Sequence, residues 1–199
     1  LSKPEAATEN PQSDDSADGF VNCPHTDFAR AGAQRAFADA VEETRKRMPF
    51  DVPVVIDGKP IRHGSTVSRR DPGDTDRLVA SVSYATVDEA AHAVSVAATA
   101  YPDWRDMPLD DRIGCVERLA DTLERDRLDL AAMQVFEVAK PWREADADVT
   151  EAIDFCRYYA RRARAELGIE RLGNVRGETN ELWYEGRGPA AIIAQWNFP

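Results

Sequence analysis

An uninterrupted apolar run, Ala190 to Ala194, feeds directly into a polar turn, Gln195-Trp196-Asn197-Phe198-Pro199. A run without polar alternation suits a strand covered on both faces, the signature of a parallel sheet. Parallel neighbours need long crossover connections, most often helices, so this one stretch commits the chain to an α/β architecture. Open α/β sheets bind ligands beyond the carboxyl ends of their strands. Asn197 stands at that position. A side-chain amide there can donate to a developing oxyanion, or it can be a turn asparagine bonded to its own backbone.

The preceding pattern supplies the other elements of such a fold. Between Thr26 and Pro49, Phe28, Ala33, Ala36, Phe37, Ala40, Val41, Thr44 and Met48 recur at three- and four-residue intervals, opposite Glu42, Glu43, Arg45 and Lys46. That spacing predicts a surface helix ending near Pro49. Pro53 to Ile56 and Lys59 to Arg62 flank Asp57-Gly58, a hairpin signal. Ser65 to Arg70 and Leu78 to Tyr84 read as two further short strands around Asp71-Pro72-Gly73-Asp74. Thr86 and Glu89 form a capping box that opens an alanine-rich helix to about Tyr101. Helical stripes follow over Leu109–Arg125 and Leu128–Ala139, and Trp142–Leu167 is the longest helix, with Gly168 expected as its C-cap. Glu181 to Gly186 and Pro189 to Ala194 close the pattern as strands.

Composition narrows the function. The 199 residues are 43% hydrophobic and 31% charged, as in a globular protein, with a net charge of −11. Lys3 against Glu5, Glu9, Asp14, Asp15 and Asp18 accounts for −4 of it, which leaves −7 on the remainder. An acidic chain without a basic cluster is poorly suited to displacing counterions from phosphates, so no nucleic-acid partner is expected. No apolar run approaches the ~18 residues of a membrane helix, and the polar start lacks the features of a signal peptide. Residues 1–19, rich in Ser, Asp, Asn, Pro and Ala, are expected to be a disordered extension. Cys23, Cys115 and Cys156 show no CxxC spacing, which points to reduced thiols in a cytoplasmic protein.

Other polar residues offer little chemistry on their own. Cys115 and Cys156 lie in helical patterns as small hydrophobes, and no thiol has an electropositive setting in the sequence. His25, His63 and His92 lack a second ligand at metal spacing, so no metal site is expected. Glu144, Asp146, Asp148, Glu151 and Asp154 together read as the solvated acidic face of the long helix.

Taken in order, several stretches resemble one family. Val55-Ile56-Asp57-Gly58, Asp71-Pro72, Ala85 to Ala90, Trp104-Arg105, Glu137 to Pro141 and Gly188 to Pro199 are similar, over about residues 20–199, to the amino-terminal part of the aldehyde dehydrogenase superfamily. Thr26-Asp27-Phe28 and Lys140 to Phe155 resemble most the 1-pyrroline-5-carboxylate dehydrogenases within it. The resemblance implies an α/β fold of hairpin strands, a helical block and the first strand of a doubly wound cofactor sheet, with an oligomerisation-type strand near 181–186. It further implies NAD as cofactor, L-glutamate γ-semialdehyde as the small-molecule aldehyde substrate, and a homo-oligomer for the full-length enzyme. A broader aldehyde dehydrogenase and a non-catalytic fragment are the alternatives.

Residue by residue, Asn197 then matches the oxyanion donor, and Ile193, Ala194, Gln195 and Trp196 match the segment along the cofactor. Phe198 matches an aromatic of the aldehyde tunnel, and Glu151 a glutamate near the substrate. Two positions depart from the family pattern: Gln195 replaces the usual proline, freeing a backbone amide, and Ala139 replaces the usual glycine before Lys140-Pro141. The family's nucleophilic cysteine, general-base glutamate and nucleotide-binding lysine and glycine-rich turn follow the Trp-Asn-Phe-Pro turn. The chain is accordingly expected to be an amino-terminal fragment truncated at residue 199.

Overall fold

The computed structural model describes residues 19–63 and 66–197. The expectation of a disordered extension therefore falls, but for Gly19, outside the described residues, and so does the role assigned to Phe198.

Helix α1 spans Ala31–Arg47. It starts later than its apolar periodicity suggests, because Asp27 Oδ1 accepts from the Ala29 amide at 3.0 Å and folds 27–29 into a turn. Phe37 and Thr44 carry its buried face, and Arg45, Lys46 and Arg47 occupy its last turn, where cations suit the helix dipole. The chain then enters β1, Phe50–Val52, a strand that the sequence reading did not anticipate. Three residues are too few to show an alternation.

Strands β2 (Val54–Ile56) and β3 (Lys59–Ile61) pair as the expected hairpin. Asp57 (φ 54) and Gly58 (φ 68) both take positive φ, as a two-residue primed turn requires. Strands β4 (Val67–Asp71) and β5 (Asp74–Val82) pair antiparallel. The Asp71 carboxylate holds the turn between them, accepting from the Gly73 amide at 2.7 Å and from Arg77 at 2.5 Å. β1 adds to the other side of β5 in parallel, giving the order β1-β5-β4.

The helical block follows its sequence pattern closely. Helix α2, Val87–Asp106, opens with the full Thr86–Glu89 capping box and continues through Pro102. α3 spans Leu109–Arg125, α4 Arg127–Val138 and α5 Trp142–Glu166. The core is built largely of small residues: Ala120 of α3, Ala131 of α4, and Ala145, Val149 and Ile153 of α5 surround Cys23 and Phe37. Small side chains let these helices approach closely. Phe28, Phe37 and Trp142 fill the flank, with the Phe37 and Trp142 rings 4.9 Å apart.

Three expectations are corrected. α5 ends at Leu167 (φ −95, ψ 5), and Gly168 is not in the left-handed region, so the glycine is not the cap. The strand expected over 181–186 shortens to β7, Glu181–Leu182, paired with β6, Glu170–Arg171. The run Ala190 to Ala194 forms no strand ladder, and Ile193 is 90% exposed. A strand exists only against a partner that takes up its amides and carbonyls, and none of the described strands lies beside this run. The mixed helix and strand class stands.

Candidate functional site

Helix α5 organises the polar chemistry. Asp146, Thr150 and Asp154 follow one another at four-residue intervals, so their side chains share one stripe of the helix. That stripe does not face solvent. It receives an extended strap, residues 20–28, laid along the helix, and Asp146 is only 1% exposed.

Two carboxylates hold the strap. Asp146 accepts from the Thr26 amide at 2.8 Å and from the Thr26 hydroxyl at 2.7 Å. Arg127, from the first turn of α4, donates to both oxygens of the same carboxylate at 2.8 and 2.7 Å. The guanidinium reaches the strap as well, donating to the Pro24 carbonyl and the Thr26 hydroxyl at 3.0 Å each. Farther along α5, Asp154 accepts from the Cys23 amide at 2.7 Å and the Asn22 side chain at 2.8 Å. Burial raises the Asp146 carboxyl's affinity for a proton, but hydrogen bonds from Arg127 and Thr26 outweigh it and hold its pKa below the usual carboxylate value. The acidic face read from the sequence is therefore in part a buried clasp.

Thr150 adds a third tie. Its hydroxyl donates to the Ala147 carbonyl at 2.8 Å and lies 3.3 Å from His25 Nδ1.

Between strap and helix lies a cleft of about 580 Å³, walled by Phe20, Asn22 and His25 on one side and by Asp148, Glu151 and Tyr158 of α5 on the other. Phe20 meets Tyr158 edge-on at 5.4 Å. A second cleft, about 630 Å³ and more apolar, opens between α4 and α5 and is bordered by Leu130, Met133 and Phe155. Glu151 borders both clefts, and its carboxylate accepts no hydrogen bond among the described residues. Asp148 beside it pairs with Lys140, whose ammonium is half-buried. Desolvation lowers the Lys140 pKa, against the attraction of Glu144 and Glu151.

The other sequence candidates lie apart from this centre. Ile193, Ala194, Gln195 and Trp196 are exposed and Asn197 is half-buried; none of the five borders either cleft. Burial raises the thiol pKa of Cys23, partly offset by Arg127, and burial alone raises that of Cys156, so neither is activated as a thiolate. Among the described residues no group of three His, Cys, Asp or Glu side chains is placed to hold a metal ion, and no helix is long and apolar enough to cross a membrane.

Sequence reasoning missed the clasp. Arg127 and Asp146 bond to residues more than one hundred positions away in the strap, which no local pattern encodes. The available signal was the polar stripe 146, 150, 154, four residues apart beside the buried stripe of Ala145, Val149 and Ile153.

Comparison with known proteins gives the class of a chain built as a helical block with small sheets and an acidic cleft on its longest helix. Residues 61–199 match the model of the aldehyde dehydrogenase family, and the chain belongs to that family. Within it, the chain is 32% identical over 180 residues to 1-pyrroline-5-carboxylate dehydrogenase of Staphylococcus aureus (strain MW2), a match covering 90% of this chain and 35% of that relative. The structure superposes on proline utilization A from Bdellovibrio bacteriovorus with a TM-score of 0.87 at 42% identity, over 90% of this chain and 19% of the other. It superposes on 1-pyrroline-5-carboxylate dehydrogenase from Thermus with bound NAD with a TM-score of 0.85 at 34% identity, over 90% of this chain and 35% of that one.

Proposed function

We propose that the chain is the amino-terminal part of an NAD-dependent dehydrogenase that oxidises L-glutamate γ-semialdehyde, the open form of 1-pyrroline-5-carboxylate, to glutamate in the cytoplasm. One observation carries the choice of substrate. The family model begins at Ile61, whereas the match to the staphylococcal 1-pyrroline-5-carboxylate dehydrogenase takes in 180 of 199 residues and so must include the strap from Phe20 onward. What this chain has beyond the general family is shared with relatives of that name.

The individual roles rest on the resemblance to the family. Glu151, exposed at the meeting of two clefts and free of hydrogen-bonding partners among the described residues, is the α5 group available to a polar substrate. Asn197 is the oxyanion donor, a preorganised amide worth roughly 3 kcal/mol in such chemistry. Phe198, outside the described residues, matches an aromatic of the family's aldehyde tunnel. Ile193, Ala194, Gln195 and Trp196 lie along NAD. NAD, when bound, accepts the hydride released as the aldehyde carbon is oxidised. This chain's own part is to orient the aldehyde and shield one side of it from water. Strand β7, Glu181–Leu182, serves subunit association in the full-length homo-oligomer, with residues 20–199 as the amino-terminal part of the cofactor-binding domain.

The test is the steady-state specificity of the full-length enzyme carrying these residues. NADH formation should show kcat/KM for L-glutamate γ-semialdehyde well above that for simple aliphatic aldehydes such as propanal. Equal values would assign a broad aldehyde dehydrogenase instead.

A further inference from the structure

We propose that the strap, residues 20–28, is a specificity-determining wall of the Glu151 cleft, and that Thr26 is the positioning residue that sets it, a reading that rests on the function proposed above. The wall selects an aldehyde with a charged, hydrogen-bonding tail over one with a plain alkyl tail.

Three observations converge. The strap supplies one side of the cleft, and its contributions are a ring, an amide and an imidazole, whereas α5 opposite supplies Glu151 and Tyr158. A tail carrying both a donor and an acceptor finds partners on each wall, while an alkyl tail leaves them unsatisfied.

The strap is also held more firmly than stability alone explains. Asp146 and Arg127 are almost withdrawn from water, and a buried ion pair is seldom more stabilising than well-packed apolar residues of the same volume. What such a pair supplies is a single geometry. Thr26 is its junction, donating through amide and hydroxyl to Asp146 and accepting from Arg127, with His25 its immediate neighbour in the cleft wall. Finally, the strap lies before the start of the general family model and inside the match to the 1-pyrroline-5-carboxylate dehydrogenase relative. It accompanies the substrate class rather than the shared chemistry.

Two variants of the full-length enzyme test this. Thr26→Val keeps the side-chain shape and removes the hydroxyl from the clasp, and Thr26→Ser restores it. In Thr26→Val, KM for the semialdehyde should rise about tenfold with kcat within about twofold, the pattern of lost ground-state binding, while the constants for propanal stay unchanged. Thr26→Ser should return KM to the parent value. His25→Ala, at an exposed position outside the Asp146–Arg127–Thr26 junction, removes a wall group together with its contact to Thr150 and should raise the same KM selectively. A preference for the semialdehyde that survives intact in both Thr26→Val and His25→Ala overturns the inference alone. So does an equal loss toward both aldehydes, which would mark the clasp as merely structural. A parent enzyme with no preference to lose overturns the functional reading and this inference together.

Discussion

Ala139 closes α4 at φ 57, in the left-handed region where a side chain crowds its own backbone. The helix end widens around it: the Ala139 and Lys140 amides both turn back to the Gln134 carbonyl, the latter at 3.4 Å. Glycine meets this conformation without the Cβ clash. Ala139→Gly should therefore stabilise the protein by about 1 kcal/mol, read as a higher urea midpoint at unchanged slope. The departure from the family pattern was visible in the sequence, but its strain was not, because φ belongs to the folded backbone. Glu151 illustrates the reverse case. The resemblance places it near substrate, and the structure sets it at the border of two clefts, a position that no local spacing reveals.

Among the elements, the clasp joining strap, α4 and α5 has a consequence for acid stability. Asp146 binds a proton less readily folded than unfolded, so the unfolded state takes up protons first as pH falls. The stabilisation is complete above the unfolded carboxyl pKa of about 4 and is lost as pH drops below it toward the lower folded value. Urea midpoints measured from pH 7 to pH 3 should hold level and then fall. Asp146→Asn should be less stable at neutral pH by about 3 kcal/mol, since it leaves Arg127 partly buried without its counter-charge, and should lose less on acidification. The helices themselves were legible from periodicity and caps: the Thr86–Glu89 box, the proline before α5 and the Asp57-Gly58 turn all act locally. β1 was not, because three residues gain a strand's identity only from β5 beside them.

At the scale of the molecule, the function proposed assigns this chain one side of a reaction centre, Glu151 on α5 and the exposed run through Ile193 to Trp196, and neither Cys23 nor Cys156 has an activated thiol. The 199-residue chain expressed alone should therefore show no reduction of NAD with L-glutamate γ-semialdehyde, assayed by absorbance of NADH; turnover by the purified chain would refute the roles proposed for it. The sequence by itself determined the α/β class, the helical block with its caps, the hairpin and the family, because each depends on contacts within a few residues or on the order of short motifs. Only the tertiary structure decided that the acidic stripe of α5 is in part a buried clasp, that the strap walls a cleft, and that the apolar run from Ala190 to Ala194 joins none of the described strands. Those outcomes depend on partners far away in the chain, and burial and strand pairing are properties of what packs against a residue rather than of the residue.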